Sequence, residues 1–193
     1  FSRAHPDAPK PLTPTEYGRF AKWLHQEGKT PGDLITDLEA ATASWTDPKG
    51  KVTRDRLHYL VGRGAALGLA LEKWNSAGIW VLTRANKEAY PTRLRDILGA
   101  QAPAAFFGVG NRDLLSRGGL AMVGSRSIDE ADRTYTSQVA SDAAREGLNL
   151  VSGGAAGVDE TAMLAALEVG GTAVGVLAKG LLSAALEIGR AHV

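Results

Sequence analysis

Leu148-Asn149-Leu150-Val151-Ser152-Gly153-Gly154-Ala155-Ala156-Gly157-Val158-Asp159 is the stretch on which the fold turns. Its first residues are apolar and suit a buried strand, Ser152 to Gly157 are small, and Val158, Ala162, Ala165, Ala166 and Val169 then recur at helical spacing. A strand passing through a glycine-rich turn directly into a helix opens a βα unit. The same grammar holds on either side. Upstream, Leu120-Ala121-Met122-Val123 reads as a strand, Gly124-Ser125-Arg126-Ser127 as its turn, and Ala131, Tyr135, Val139 and Ala143 as one helical face. Downstream, Gly170-Gly171 ends the second helix, and Thr172 to Leu177 makes a third strand before Ala178-Lys179-Gly180. Parallel neighbours need a crossover and a helix is the usual one, so this alternation predicts an α/β fold with a Rossmann-like, doubly wound and mostly parallel sheet. The chain stops soon after the third strand, and we therefore expect a sheet truncated at the C-terminus.

Before Gly78 the pattern is different. Residues 1–12 are rich in Pro and polar groups and read as a linker or disordered arm. Thr13-Pro14-Thr15-Glu16 places a hydroxyl at a helix N-cap, Pro at the first helical position and a carboxylate three residues on; these are the signals of a capped helix start. Tyr17, Phe20, Ala21 and Leu24 then form an apolar stripe. Leu34, Ile35 and Leu38 predict a short second helix. A third, starting near Thr53, carries Leu57, Leu60, Val61, Leu67, Leu71 and Trp74 on a repeating face. The expected organisation is a small all-helical module over 13–77 followed by the Rossmann-like domain over 78–193, which begins with short strands at Ile79–Thr83 and Ala104–Val109.

Composition narrows the function. The 193 residues are 44% hydrophobic and 22% charged, with no Cys, which describes a globular chain and removes disulfide frameworks, thiolate metal sites and catalytic thiols. No run approaches the roughly 18 apolar residues of a membrane span. A cytoplasmic protein with no membrane partner is expected, and Phe1 in the place of Met leads us to expect a native start upstream. The net charge of +1 conceals a gradient: residues 84–126 hold 7 basic and 3 acidic side chains, residues 127–193 hold 4 and 9. The basic middle permits an anionic partner.

In open α/β sheets ligands bind beyond the carboxyl ends of the strands. The first such loop, Gly124-Ser125-Arg126-Ser127, combines close backbone approach, hydroxyls and a forked cation, which suit phosphate oxygens. The second, Ser152-Gly153-Gly154-Ala155-Ala156-Gly157, runs into a helix whose free N–H groups and positive dipole end favour anions. Asp159 follows in that helix, and Lys179-Gly180 adds a cation to the third loop. Taken singly, each piece has a structural reading: glycines for tight turns, Arg126 in a surface ion pair, Asp159 favoured by the helix dipole, Lys179 solvated. The three loops together should line one rim.

Several enzyme classes fail. His5, His25, His58 and His192 have no metal-binding spacing, Ser125 and Ser152 have no evident base, and there is no G-x-x-x-x-G-K-[ST] loop. Gly108-Val109-Gly110 lacks the third glycine and the strand-to-helix context of a dinucleotide fingerprint. No catalytic residue, metal or cofactor is assigned.

The order Tyr90-Pro91, Leu94, Pro103 before Phe106-Phe107, Gly110-Asn111, Val123-Gly124-Ser125-Arg126, Val151 to Asp159 and Gly175-Val176-Leu177-Ala178-Lys179-Gly180 resembles the DNA-processing protein A family, also called Smf. It covers roughly 78–182. The resemblance implies a non-enzymatic, dimeric protein that binds and protects single-stranded DNA and helps load a RecA-type strand-exchange recombinase during transformation. It also implies a DNA-binding role for Arg126, for Ser152 to Asp159 and for Lys179. The chain departs from the family pattern at Met163, where His is common, and at Leu181-Leu182-Ser183-Ala184-Ala185, where an aspartate and a Tyr-Pro are common. Phe106, Phe107 and Tyr135 are equally available for stacking on bases or for the core. Two other readings compete with strand binding. One is a nucleotide sensor or small-nucleotide hydrolase using the same rim, although the P-G-G-x-G-T-x-x-E loop of the hydrolases is missing; the other is an interaction module working through its helices.

Overall fold

Thr13 Oγ1 accepts the Glu16 amide at 3.3 Å while the Thr13 amide donates to Glu16 Oε2 at 2.8 Å. The reciprocal cap predicted from the sequence thus starts α1 (Pro14–Gln26). The computed structural model describes residues 8–178 and 180–181. They divide into two compact units, with the boundary between Phe106 and Phe107.

The first unit is built around Phe20, Trp45, Val52 and Leu57, with Leu12, Trp23, Leu34 and Leu38 packed against them. Phe20 meets Trp45 edge to face at 5.0 Å between ring centroids, the geometry favoured by ring quadrupoles. Trp45 Nε1 donates to the Val52 carbonyl at 2.8 Å, so the buried indole N–H is paired. Two arginines tie down the buried carboxylates. Arg56 forks onto Glu16 at 3.0 and 3.2 Å and also donates to the carbonyls of Lys10, Pro11 and Lys51. Arg19 pairs with Asp47 at 3.0 Å, and Asp47 in turn accepts the amides of Lys51 and Val52.

Two helices expected to be continuous are broken. The segment around Leu34–Leu38 forms α2 (Pro31–Thr36) and α3 (Leu38–Thr42), because Asp37 is extended at φ −152° and caps α3 through the Ala40 amide. The long third helix splits into α4 (Arg54–Val61) and α5 (Gly64–Ser76) at Gly62-Arg63. Glycine on both sides of Arg63 lowers the local helix propensity enough for the Gly62 amide to end α4 on the His58 carbonyl at 2.9 Å. Leu57 is buried on α4, whereas Leu67, Leu69 and Leu71 of α5 are exposed. A two-stranded sheet follows, β1 (Trp80–Thr83) with β2 (Ala105–Gly108), and α6 (Thr92–Leu98) lies between them in sequence. Tyr90 is buried there, its hydroxyl donating to the Pro103 carbonyl at 2.8 Å.

The second unit is the regular βα alternation. β3 (Gly119–Ala121), α7 (Glu130–Arg145), β4 (Asn149–Ser152), α8 (Val158–Glu168) and β5 (Ala173–Gly175) succeed one another, and the strands lie parallel in the order β3-β4-β5. Leu120 pairs with Leu150 and Leu150 with Ala173, so these three share a face. Against it pack Ala140 and Ala144 of α7 and Ala162, Ala165 and Ala166 of α8. Both crossover helices therefore cover the same side of the sheet. Alanine at the contact lets the backbones approach closely, which suits a three-stranded sheet with little width to spare. Asn149 pins the lower edge, its amide donating to the Leu114 carbonyl at 3.3 Å while it accepts the Thr172 hydroxyl.

Candidate nucleic-acid interface

The loops after β3 and β4 meet at the start of α8. The Val158 amide, first of the helix, donates to the Ser125 carbonyl at 3.1 Å, and Gly157 lies against the backbone of Ser125 and Arg126. Gly157 has φ +86°, and a Cβ there would stand 2.2 Å from the Ser125 oxygen. Only glycine permits both the conformation and the approach. Gly124 is constrained from the other side by approach alone, since a Cβ on it would meet the Val158 side chain at 2.7 Å.

Arg126 is held at this junction by its backbone and not by its side chain. The residue is exposed and forms no ion pair with any described residue. Ser125 and Ser127 close the turn on themselves: Ser125 Oγ donates to the Ser127 carbonyl at 2.6 Å and accepts the Ser127 amide at 3.2 Å. The Ser125 proton is thus already in use. In the second loop Gly153, Gly154 and Ala156 are exposed, and Ala155 and Gly157 are partly covered. Ser152 is buried, its hydroxyl 2.7 Å from the Met122 carbonyl. Gly180 is exposed, and Lys179 lies outside the described residues.

Asp159 faces inward. It is 5% exposed, and its carboxylate accepts the amides of Gly124 at 3.3 Å and Gly153 at 3.0 Å. The Ser152 hydroxyl and the amides of Ala155, Gly124 and Gly153 hold it below the usual aspartate range against the opposing effect of burial. With a single proton, Ser152 Oγ serves either Asp159 or the Met122 carbonyl. From the sequence Asp159 is a rim ligand or a helix-dipole residue. The clamp it forms was not legible, because Gly124 stands 35 residues away; the only local signal is a carboxylate two residues past a loop rich in N–H donors.

The surroundings of Arg126 are mixed in charge. The first turn of α7 carries Glu130 and Asp132, capped by Asp129, and that of α8 carries Asp159 and Glu160. Arg133 is a cation that the motif reading missed; it reaches from α7 to the Thr161 hydroxyl on α8 at 3.3 Å. Of the aromatics, Phe106 packs on Trp80 and Tyr90, while Tyr135 on α7 is 74% exposed. Among the described residues no group of three or more His, Asp or Glu side chains is placed to hold a metal ion, and no helix is long and apolar enough to cross a membrane.

The chain is 37% identical over 94 residues to the DNA processing protein DprA of Streptococcus pneumoniae (strain ATCC BAA-255 / R6), a match covering 49% of this chain and 32% of the relative. The matched segment thus spans about a third of that protein's length. The X-ray structure of DNA processing protein A from Streptococcus pneumoniae superposes with a TM-score of 0.58 at 24% identity, over 89% of this chain and 60% of the other, a likeness of fold. The sequence profile of DNA recombination-mediator protein A matches residues 81–186, more than half of the chain, and with the strand-end loops lying inside the matched range the chain belongs to the DNA recombination-mediator protein A family.

Proposed function

We propose that this protein binds single-stranded DNA through the outer surface of the loops after β3 and β4, as a non-enzymatic mediator of recombination. The observation that carries the reading is Arg126: an exposed guanidinium, in no ion pair among the described residues, on a loop whose backbone is braced against the start of α8. A guanidinium carried on a fixed backbone offers phosphate a planar fork, which loses less freedom per hydrogen bond formed than a flexible ammonium does. Lys179 on the third loop supplies a second cation in this reading, and Tyr135, exposed on α7, and Phe107, 47% exposed, are aromatics available for stacking on a base. Protection of incoming strands, delivery to a RecA-type recombinase, a homodimeric state and a cytoplasmic setting complete the proposal, supported by membership in the family.

The carboxylates around Arg126 limit how many phosphates the rim neutralises. Binding then depends on few ionic contacts, and stacking supplies much of the rest. The test is fluorescence anisotropy with labelled oligo-dT on the parent chain and on Arg126→Ala. A loss of roughly tenfold or more in affinity at 50 mM salt is expected, from charge-assisted hydrogen bonds of about 1.5–3 kcal/mol. Equal affinity for the two proteins rejects the assignment.

A further inference from the structure

Three charged side chains among the described residues are buried, and they are held in two different ways. Glu16 faces Arg56 and Asp47 faces Arg19. Asp159 forms no ion pair with any described residue and is held by neutral donors: the amides of Gly124 and Gly153, with the Ala155 amide and the Ser152 hydroxyl beside them. Backbone N–H groups converging from turns, here at the ends of β3 and β4, are a donor set with which proteins hold phosphate. Here that donor set already has an anion, and the anion belongs to the chain. The space is filled as well, because even a Cβ on Gly153 would stand 3.0 Å from Asp159 Oδ2.

We propose that Asp159 is a specificity-determining residue: a resident anion occupying the amide cradle between the loops after β3 and β4, so that the terminal phosphate of a mononucleotide is excluded and only phosphodiesters lying along the outer, Arg126 side are accepted. The inference rests on the single-strand-binding reading and names which kind of phosphate that site takes. Its physical basis is twofold. The inner donors are committed, and a phosphate dianion brought beside a buried carboxylate meets repulsion that little water screens. A diester strand, with one charge per nucleotide spread over the exterior, avoids both.

The first test uses the unaltered chain, with backbone amide NMR during titration by inorganic phosphate and by dTMP at constant ionic strength. The Gly124 and Gly153 amides are expected to stay fixed; saturable shifts of both overturn the proposal. The second test is Asp159→Ala, which bares the amides. The variant should gain a phosphate-dependent rise in Tm, over chloride at matched ionic strength, with at least tenfold tighter phosphate binding than the parent. A folded variant without that gain also overturns the proposal, and if the variant does not fold the NMR result on the parent decides. Oligo-dT binding by the parent is measured alongside. Its absence removes the strand-binding reading without moving the phosphate results, while oligo-dT binding combined with Gly124 and Gly153 shifts on dTMP keeps that reading and removes the exclusion.

Discussion

Gly157 and Ser125 are in backbone contact across 32 residues of sequence, close enough that a Cβ on Gly157 would stand 2.2 Å from the Ser125 carbonyl oxygen. That contact is what joins the two loops into one surface. Gly157→Ala is expected to cost about 1–3 kcal/mol from its backbone conformation alone, with the steric clash in addition. Thermal unfolding should show a marked fall in Tm, and oligo-dT affinity should fall with it even though no ligand-contacting side chain has changed. A variant with parental Tm would mean that the loops are not packed as described.

The approach of Gly124 to Val158 gives a paired prediction. Gly124→Ala places a methyl 2.7 Å from Val158 Cγ2 and 2.9 Å from its Cβ, so the single variant should lose stability by about 1–3 kcal/mol through overpacking. Adding Val158→Ala removes the γ-carbons but leaves the Cβ, and part of the loss should return. The double-mutant cycle should therefore be non-additive by about 0.5–3 kcal/mol; strict additivity of the two changes would separate residues that we describe as touching.

Salt dependence reads the number of phosphate contacts. If Arg126 neutralises one phosphate of a single strand, removing it reduces the slope of log K against log salt by about 0.7. Arg126→Lys should keep the slope and lose part of the affinity, since an ammonium preserves the charge but not the fork. An unchanged slope in Arg126→Ala would mean that the guanidinium does not neutralise a phosphate.

Acid should weaken the helical unit first. The Arg56 guanidinium, followed by the Thr13 amide, lowers Glu16 from 4.5 to about 2. Burial raises Asp47, but the amides of Val52, Lys51 and Lys49 and the Arg19 side chain outweigh it and bring it from 3.8 to about 2. For a carboxylate whose folded pKa is depressed, the stabilisation is complete above the unfolded value and is lost as pH falls through the folded one. Tm should thus be insensitive to these groups above about pH 4.5 and drop between there and about pH 2. Glu16→Gln should flatten part of that drop while lowering Tm at neutral pH; a flat profile in the parent from pH 4.5 to 2 would contradict the pairing.

The core of the second unit rests on Leu150, 1% exposed between α7, α8 and the sheet. Leu150→Ala should cost about 2–5 kcal/mol. Chemical denaturation followed by far-UV circular dichroism should show the loss as a lower midpoint.

Wherever the physics is local, the chain spells out its own structure. Thr13, Pro14 and Glu16 lie within one helical turn of each other, so the cap could be read without any partner. The alternation from Leu120 to Leu177 likewise foretold the parallel β3-β4-β5 sheet, because short connections leave helices as the only crossovers. What escaped reading depended on residues distant in sequence or on small differences in propensity. The breaks at Asp37 and at Gly62-Arg63 are of the second kind, since an apolar stripe continues across a kink as easily as along a helix.

Asp159 is the clearest case of the first kind. Its position after Gly157-Val158 is set by the sequence, but a carboxylate there is stable whether it points to solvent or inward, since the helix dipole favours both. Folding decides between them by delivering the Gly124 amide from the end of β3 and the Gly153 amide from the end of β4 to the same point. The order of strands and loops was therefore determined by residue pattern alone, because patterning acts over a few residues. The direction of Asp159, and with it the division of the rim into a filled inner cradle and an open face at Arg126, was decided only by tertiary structure, because hydrogen-bond partners must be brought together before a carboxylate can choose them.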